Sequence, residues 1–173
     1  MKKYVLLAGA TIVFAAPAYA QTTVPFINIM GEESGTVTLT EAQEGGVTIA
    51  LDLHDLTPGE HAIHFHQKGA CAPAETFDNA GPHLNPFDKE HGKMSEHGAH
   101  AGDMDNIVVG EDGTLKTSFV NPHVTLSTDN TDHQAALLDA DGSALIIHGG
   151  VDDYKTQPAG DAGNRFACAE IKK

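Results

Sequence analysis

Basic residues are scarce in this chain of 173 residues: 10 Lys and Arg stand against 24 Asp and Glu, a formal net charge of −14. A protein this acidic repels the phosphates of nucleic acids and anionic membrane surfaces, which excludes both as partners. Cysteine is rarer still. Cys71 and Cys168 each lack a second cysteine nearby, so no thiolate cluster for a metal can form. Beyond the first twenty residues no apolar run is long enough to cross a bilayer. Helical periodicity is almost absent, which leaves an all-β architecture.

The first twenty residues are a different kind of sequence. Lys2 and Lys3 make a basic start, Tyr4 to Ala16 an apolar run, and Ala18-Tyr19-Ala20 a small-residue cleavage signal. This pattern predicts a secretory signal peptide over 1–20 and a single exported, soluble domain over 21–173. Cleavage removes two lysines and no acids, taking the formal charge from −14 to −16. Export to an oxidising compartment favours pairing of Cys71 with Cys168; two buried free thiols and metal ligation are the alternatives.

The rest reads as short strands and turns. Thr23 to Ile29 and Gly35 to Leu39 are β-branched stretches bounded by Gly and acidic residues. From Gly46 to Leu53, Val47, Ile49, Leu51 and Leu53 alternate with Thr48, Ala50 and Asp52, the pattern of a half-buried strand. A turn at Leu56-Thr57-Pro58-Gly59 leads into a strand that ends Ile63-His64-Phe65-His66. Further strands are predicted at Asn106 to Val109, Leu115 to Val120, Ala144 to His148 and Phe166 to Ile171. About eight such strands predict an antiparallel sandwich or barrel. Two long stretches carry no period: 67–103 and 149–164. A loop as long as the first is out of place in a compact domain unless function or a metal holds it.

The histidines supply that reason. Strand alternation puts His64 and His66 on one face, with Ile63 and Phe65 on the other. The long loop adds His83, His91, His100 and Asp103, and His148 ends an apolar strand where the chain turns outward. His83, His91, His100 and Asp103 form a tetrahedral set suited to Zn²⁺. His64, His66 and His148, with His83 again, form an all-nitrogen set suited to Cu(II). A histidine shared by two cations loses both ring protons, which two metals together make feasible near neutral pH.

Five segments, in order, resemble the Cu,Zn superoxide dismutases of the bacterial periplasmic type. They are Gly59-Glu60-His61-Ala62-Ile63-His64-Phe65-His66, Ala80-Gly81-Pro82-His83-Leu84-Asn85-Pro86 and His100-Ala101-Gly102-Asp103. Ile147-His148-Gly149-Gly150-Val151-Asp152-Asp153-Tyr154 and Gly160-Asp161-Ala162-Gly163-Asn164-Arg165-Phe166-Ala167-Cys168 complete the series. The resemblance implies a Greek-key β-barrel with two long functional loops, a periplasmic location and the dismutation of superoxide, with one copper and one zinc per chain as cofactors. It implies copper ligands His64, His66, His83 and His148, and zinc ligands His83, His91, His100 and Asp103, with His83 as the bridge. Asp152 corresponds to a carboxylate that links His64 to His91, and Arg165 to the arginine that holds the anionic substrate. Cys71 and Cys168 correspond to a disulfide tying the long loop to the last strand.

Around this set some choices stay open. His97 is a second zinc candidate beside His100, although the spacing His-x-Gly-Asp favours His100. His61 is expected to brace the backbone, and His54, His123 and His133 to be surface residues. Many relatives carry a lysine shortly after the last copper histidine; Gly149-Gly150 stands there instead. Lys68, Lys89, Lys93 and Lys155 are the candidates to steer superoxide. Relatives include homodimers built on different faces and monomers, so a homodimer is open. A copper- or zinc-binding protein on the same fold, without turnover, is the alternative function.

Overall fold

β1 (Gln21–Asn28), β2 (Glu33–Glu41) and β3 (Val47–Leu53) pair in succession as antiparallel neighbours in the computed structural model, which describes residues 20–173. The predicted signal peptide lies, except for Ala20, outside the described residues. In β3, Val47, Ile49, Leu51 and Leu53 are buried while Asp52 is exposed, because successive side chains of a strand point to opposite faces. The chain continues through β4 (Gly59–His61), β5 (Ile63–His66), β6 (Ile107–Val109) and β7 (Leu115–Asn121). Two-residue strands β8 (Val124–Thr125) and β9 (Ala135–Ala136) precede β10 (Ser143–His148) and β11 (Arg165–Ile171).

Seven strands form one sheet in the order β5-β10-β11-β1-β2-β3-β7. The chain therefore crosses after β3 to β5 at the far edge, the long return of a Greek key. β6 pairs with β4, which runs on into β5, and a tight turn in which Gly110 N donates to Thr114 O leads from β6 to β7. The sheet thus curls round on itself as an antiparallel Greek-key barrel.

The predicted histidine strand is broken at Ala62. Its N–H donates to Gly150 O and its carbonyl accepts from His148 N, so the chain leaves the β4–β6 pair and joins β10. β8 and β9, a short parallel pair, have no counterpart in the sequence reading because two residues are too few to display a period. Among the described residues the number of strand segments is accordingly eleven where about eight were expected.

Phe26, Val37, Leu39, Ile49, Phe65, Leu145 and Ile147 fill the barrel interior. β10 is buried on both faces. Leu145 and Ile147 point inward, while Ala144 and Ile146 pack with Phe77, Ala80 and Cys168 beneath the long loop. A strand covered on both sides needs apolar residues at every position, which is why this one is an unbroken apolar run.

The loop over 67–103 is ordered by the free edge of β5. Phe65 N donates to Gly102 O (2.9 Å) and Phe65 O accepts from Leu84 N (2.8 Å). Gln67 N and Lys68 N donate to Pro82 O and Ala80 O at 3.0 and 3.1 Å. The edge groups of β5 are thereby paired and the loop's own polar backbone is satisfied. Gly102 sits so close to the Phe65 carbonyl that a Cβ there would overlap it, which explains the glycine of His-Ala-Gly-Asp. Two 3₁₀ turns, Pro73–Glu75 and Asp78–Ala80, shape the first third of the loop. The Cys71–Cys168 disulfide ties that third to β11, with the two Cα atoms 5.8 Å apart. Among the described residues no helix is long and apolar enough to cross a membrane.

Candidate metal centre

His64 and His66 leave β5 on the face away from the barrel interior and are buried under the loop that the same strand organises. His83 is opposite His66 in an isolated bridge, and Asp103 is opposite His64. His148 is brought in by a register shift at the end of β10, where the strand departs from regular pairing with β11. The ligand atoms of His64, His66, His83 and His148 lie within 4.8 Å of one another, as do those of His83, His91, His100 and Asp103. All seven residues therefore meet, in two groups that share His83.

Ring protons can be placed from the partners. His66 Nδ1 donates to Gly81 O (2.8 Å) and His148 Nδ1 to Gly163 O (3.3 Å), because a carbonyl can only accept. Each neutral ring then carries a lone pair on Nε2, and these two nitrogens face each other at 3.4 Å. His64 Nε2 and His91 Nε2 donate to the two oxygens of Asp152 at 2.8 and 2.9 Å, leaving His64 Nδ1 as an acceptor. His64 Nδ1 and His83 Nε2 are buried with no hydrogen-bond partner, and His91 Nδ1 and His100 Nδ1 have only the Asp103 carboxylate beside them, outside good hydrogen-bond geometry. Unpaired buried nitrogens carry a large desolvation cost, and lone pairs that face one another add repulsion. A cation between them removes both penalties.

The second group has the spacing of a tetrahedral site. Asp103 oxygens lie 2.9 Å from His83 Nδ1, 3.1 Å from His91 Nδ1 and 3.2 Å from His100 Nδ1. Bonds of about 2.0–2.2 Å in a tetrahedron separate ligand atoms by roughly 3.3 Å, so the residues present fit zinc. The first group is all nitrogen, as copper(II) favours.

Electrostatics keep the two groups distinct. Burial pushes His83 down to about 4 and His148 down to about 3, and holds His66 well below its ordinary value, so these rings are neutral and free to ligate. Burial opposes charge on His91 as well, but hydrogen bonds and charges of Asp103 and Asp152 raise it to about 9. Both carboxylates resist protonation despite burial, Asp103 through His100, His83 and His91, and Asp152 through His64 and His91.

Backbone and side-chain contacts around the groups fix their positions. Gln157 accepts from His91 N and donates to His91 O. Asn106 donates to Asp152 O and accepts from Asp152 N, holding the carboxylate in place from behind. Gly160, at φ +66, lies so close to Asp152 Oδ1 and His91 Nε2 that a Cβ would overlap both. Arg165 is held by two carbonyls, Nη1 donating to Phe77 O and Nη2 to Gly81 O, each at 2.7 Å. Gly81 O thus serves both His66 and Arg165. These carbonyl anchors leave no mark on the sequence, since every residue has one.

The model of the family described as "Copper/zinc superoxide dismutase (SODC)" matches residues 33–171. Superoxide dismutase [Cu-Zn] 1 of Aquifex aeolicus (strain VF5) is 40% identical over 160 residues, spanning 92% of this chain and 92% of its own length. The chain belongs to the copper/zinc superoxide dismutase family. Among solved structures of superoxide dismutase relatives, the Cu/Zn superoxide dismutase from Brucella abortus superimposes with a TM-score of 0.69 at 30% identity, covering 88% of this chain and 99% of that one. A SOD-like protein from Bacillus subtilis superimposes with a TM-score of 0.81 at 35% identity, covering 89% of this chain and 99% of that one.

The other residues singled out in this superoxide dismutase sequence lie outside the two groups. His97 is exposed, while its carbonyl accepts from Glu90 N, and His100 occupies the place beside Asp103. His61 is buried, with its two ring nitrogens 2.9 Å from His148 O and 2.8 Å from Thr57 O, and so braces the backbone behind His148. His54, His123 and His133 are exposed. Of the four loop lysines, all exposed, Lys93 is paired with Asp105 and lies over the Tyr154 ring at 4.1 Å.

Proposed function

We propose that this chain catalyses the dismutation of superoxide, 2 O₂⁻ + 2 H⁺ → O₂ + H₂O₂, with copper held by His64, His66, His83 and His148 and zinc by His83, His91, His100 and Asp103. The observation that carries the reading is the convergence of four imidazole lone pairs, on His64 Nδ1, His66 Nε2, His83 Nε2 and His148 Nε2, beside a second point where the Asp103 carboxylate meets His83, His91 and His100. Copper, when bound, supplies the one-electron oxidation of one superoxide and the reduction of the next, and zinc the fixed charge and geometry beside it.

The chain's own residues bind and orient. Arg165, anchored by Phe77 O and Gly81 O, keeps unused N–H groups for an anion and sits across from His148 in the β10–β11 pairing. Because Gly81 O also holds His66, the guanidinium and a copper-side ring keep a constant relation. His83 can hold a proton at Nε2, which has no other partner, and deliver it to the departing product. In the metal-free fold Asp103 accepts from the opposite nitrogen of that ring, Nδ1, and so holds its orientation for zinc. Asp152 does the same for His64 and His91 together.

Export to the periplasm belongs to the same reading. It is supported by Lys2 and Lys3, the apolar run to Ala16 and the Ala18-Tyr19-Ala20 signal. The Cys71–Cys168 bond fits an oxidising compartment. The acidic surplus argues against nucleic acid and anionic membrane as partners. The mass of the protein recovered from the periplasm tests this point: the mature chain begins at Gln21.

Metal content measured together with superoxide consumption tests the function. Equal copper and zinc with turnover is the expected result. Metal without turnover would make the protein a metal buffer on the same fold, and neither metal nor turnover would leave only a structural role.

A further inference from the structure

Arg165 has a third neighbour whose chemistry differs from that of the two carbonyls. Asp78 Oδ1 lies 4.0 Å from Arg165 Nε. We propose that Asp78 is a positioning residue that clamps Arg165 and, as a rival anion, sets how strongly the mouth of the copper site attracts negatively charged ligands. The inference rests on the role given to Arg165 above.

The clamp is local in sequence. Phe77, which receives Arg165 Nη1, directly precedes Asp78. Gly81, which receives Nη2, closes the 3₁₀ turn Asp78–Ala80 by donating its N–H to Asp78 O at 3.0 Å. One turn therefore grips the guanidinium at three points, and two of those points are neutral. Among the described residues Asp78 is the only carboxylate within ion-pair distance of Arg165. The arginine side chain is 18% exposed whereas that of Asp78 is 80% exposed, so the acid stands on the solvent side of a cation that is otherwise enclosed.

An incoming anion meets that arrangement directly. It gains attraction from Arg165 and suffers repulsion from Asp78, over similar distances and at the same mouth. Two of the places from which a free cation could offset Asp78 do not supply one: the position after His148 is Gly149-Gly150, and Lys93 is already paired with Asp105. Replacing Asp78 by a neutral residue of similar size leaves both carbonyl anchors of Arg165 in place and removes only the rival charge.

The test measures azide binding to the copper- and zinc-loaded protein from the visible absorption of copper, with no turnover involved. At low ionic strength Asp78→Asn should bind azide about threefold to tenfold more tightly, the size of a partly screened unit charge a few ångströms away. The gain should shrink toward none as salt is raised to about 0.5 M, where screening reaches only a few ångströms. Asp78→Glu should keep the parental affinity, and Arg165→Ala should weaken binding. If Arg165→Ala weakens azide binding but Asp78→Asn leaves it unchanged, the inference fails and the role of Arg165 stands. If Arg165→Ala has no effect either, that role is itself wrong. A gain in Asp78→Asn that is equal at every salt concentration would mean a change of shape instead of charge, and would also overturn the proposal. Asp78→Ser, with the same loss of charge, serves if Asp78→Asn does not fold.

Discussion

His66 and His148 present their Nε2 atoms to each other at 3.4 Å, although each ring has already spent its single proton on a carbonyl. Two lone pairs at that distance repel, and a bound cation turns the repulsion into shared coordination. Metal should therefore stabilise the fold. A ligand at a hundred times its dissociation constant contributes about 2.7 kcal/mol. For a domain of this size each kcal/mol is worth roughly 2–4 °C. Calorimetry of the metal-free and metal-loaded protein is expected to show a rise of at least several degrees, and equal melting temperatures would contradict the geometry.

His83→Ala should uncouple the two sites. The zinc group loses one of its four ligands and the copper group keeps three histidines. Zinc content should fall below one per chain and the superoxide rate by at least tenfold, in line with the loss of a proton-transfer group. A parental rate, together with parental copper absorption, would remove His83 from its bridging place.

The metal-free protein should be most stable near pH 6.5. His83 and His148, pushed down to about 4 and about 3, stay neutral in the fold while the unfolded chain takes up their protons. Stability therefore drops as pH falls from about 6.5 toward 4. His91, raised to about 9, acts in the opposite sense. Its contribution is complete below about 6.5 and is lost as pH rises toward 9. Denaturant unfolding in the presence of chelator, across pH 4 to 9, should give a single maximum. A steady rise to pH 9 would contradict the environment described for His91.

Gly160→Ala should damage the zinc side selectively. Its Cβ would overlap Asp152 Oδ1 and His91 Nε2, and φ of +66 adds about 1–2 kcal/mol of backbone strain for a residue with a side chain. Zinc stoichiometry should fall more than copper stoichiometry. Normal content of both metals would show that the contact can relax.

Cys71→Ser should release the first third of the long loop from β11. The bond closes a span of 97 residues, for which the chain-entropy argument gives about 4.7 kcal/mol, with losses of 2–5 kcal/mol typical for small secreted domains. Thermal unfolding of the variant and of the reduced parent should agree. Alkylation of both sulfurs in the native parent would show that the bond is absent in solution.

Much of this site could be read from sequence because its signals are side chains at characteristic spacings. Two histidines at i and i+2 in an apolar strand have one geometric meaning, and His-x-Gly-Asp favoured His100, the one of the two that lies beside Asp103. Asp152 was distinguishable from Asp153 only by resemblance: both are acids in a loop, and what sets Asp152 apart is burial between His64 and His91. The anchors at Phe77 O and Gly81 O, and the approach of Asp78 to Arg165, depend on how the 3₁₀ turns fold, and no residue type announces them. The break at Ala62 and the β8–β9 pair were illegible for a related reason, because they follow from tertiary pairing and not from any local preference.

The pairing of β5 with β10 has a consequence for the order of assembly. The zinc group, His83 to Asp103, lies within one loop, so its ligands are never far apart even in an unfolded chain. His64 and His66 meet His148 only when β10 has docked beside β5, across the whole of that loop and four further strands. Contacts so distant in sequence form late, because the chain must first surrender the entropy of the intervening loop. The zinc group can begin to gather locally, whereas the copper group does not exist until both halves of the barrel have met. The copper group is thus a property of the finished fold.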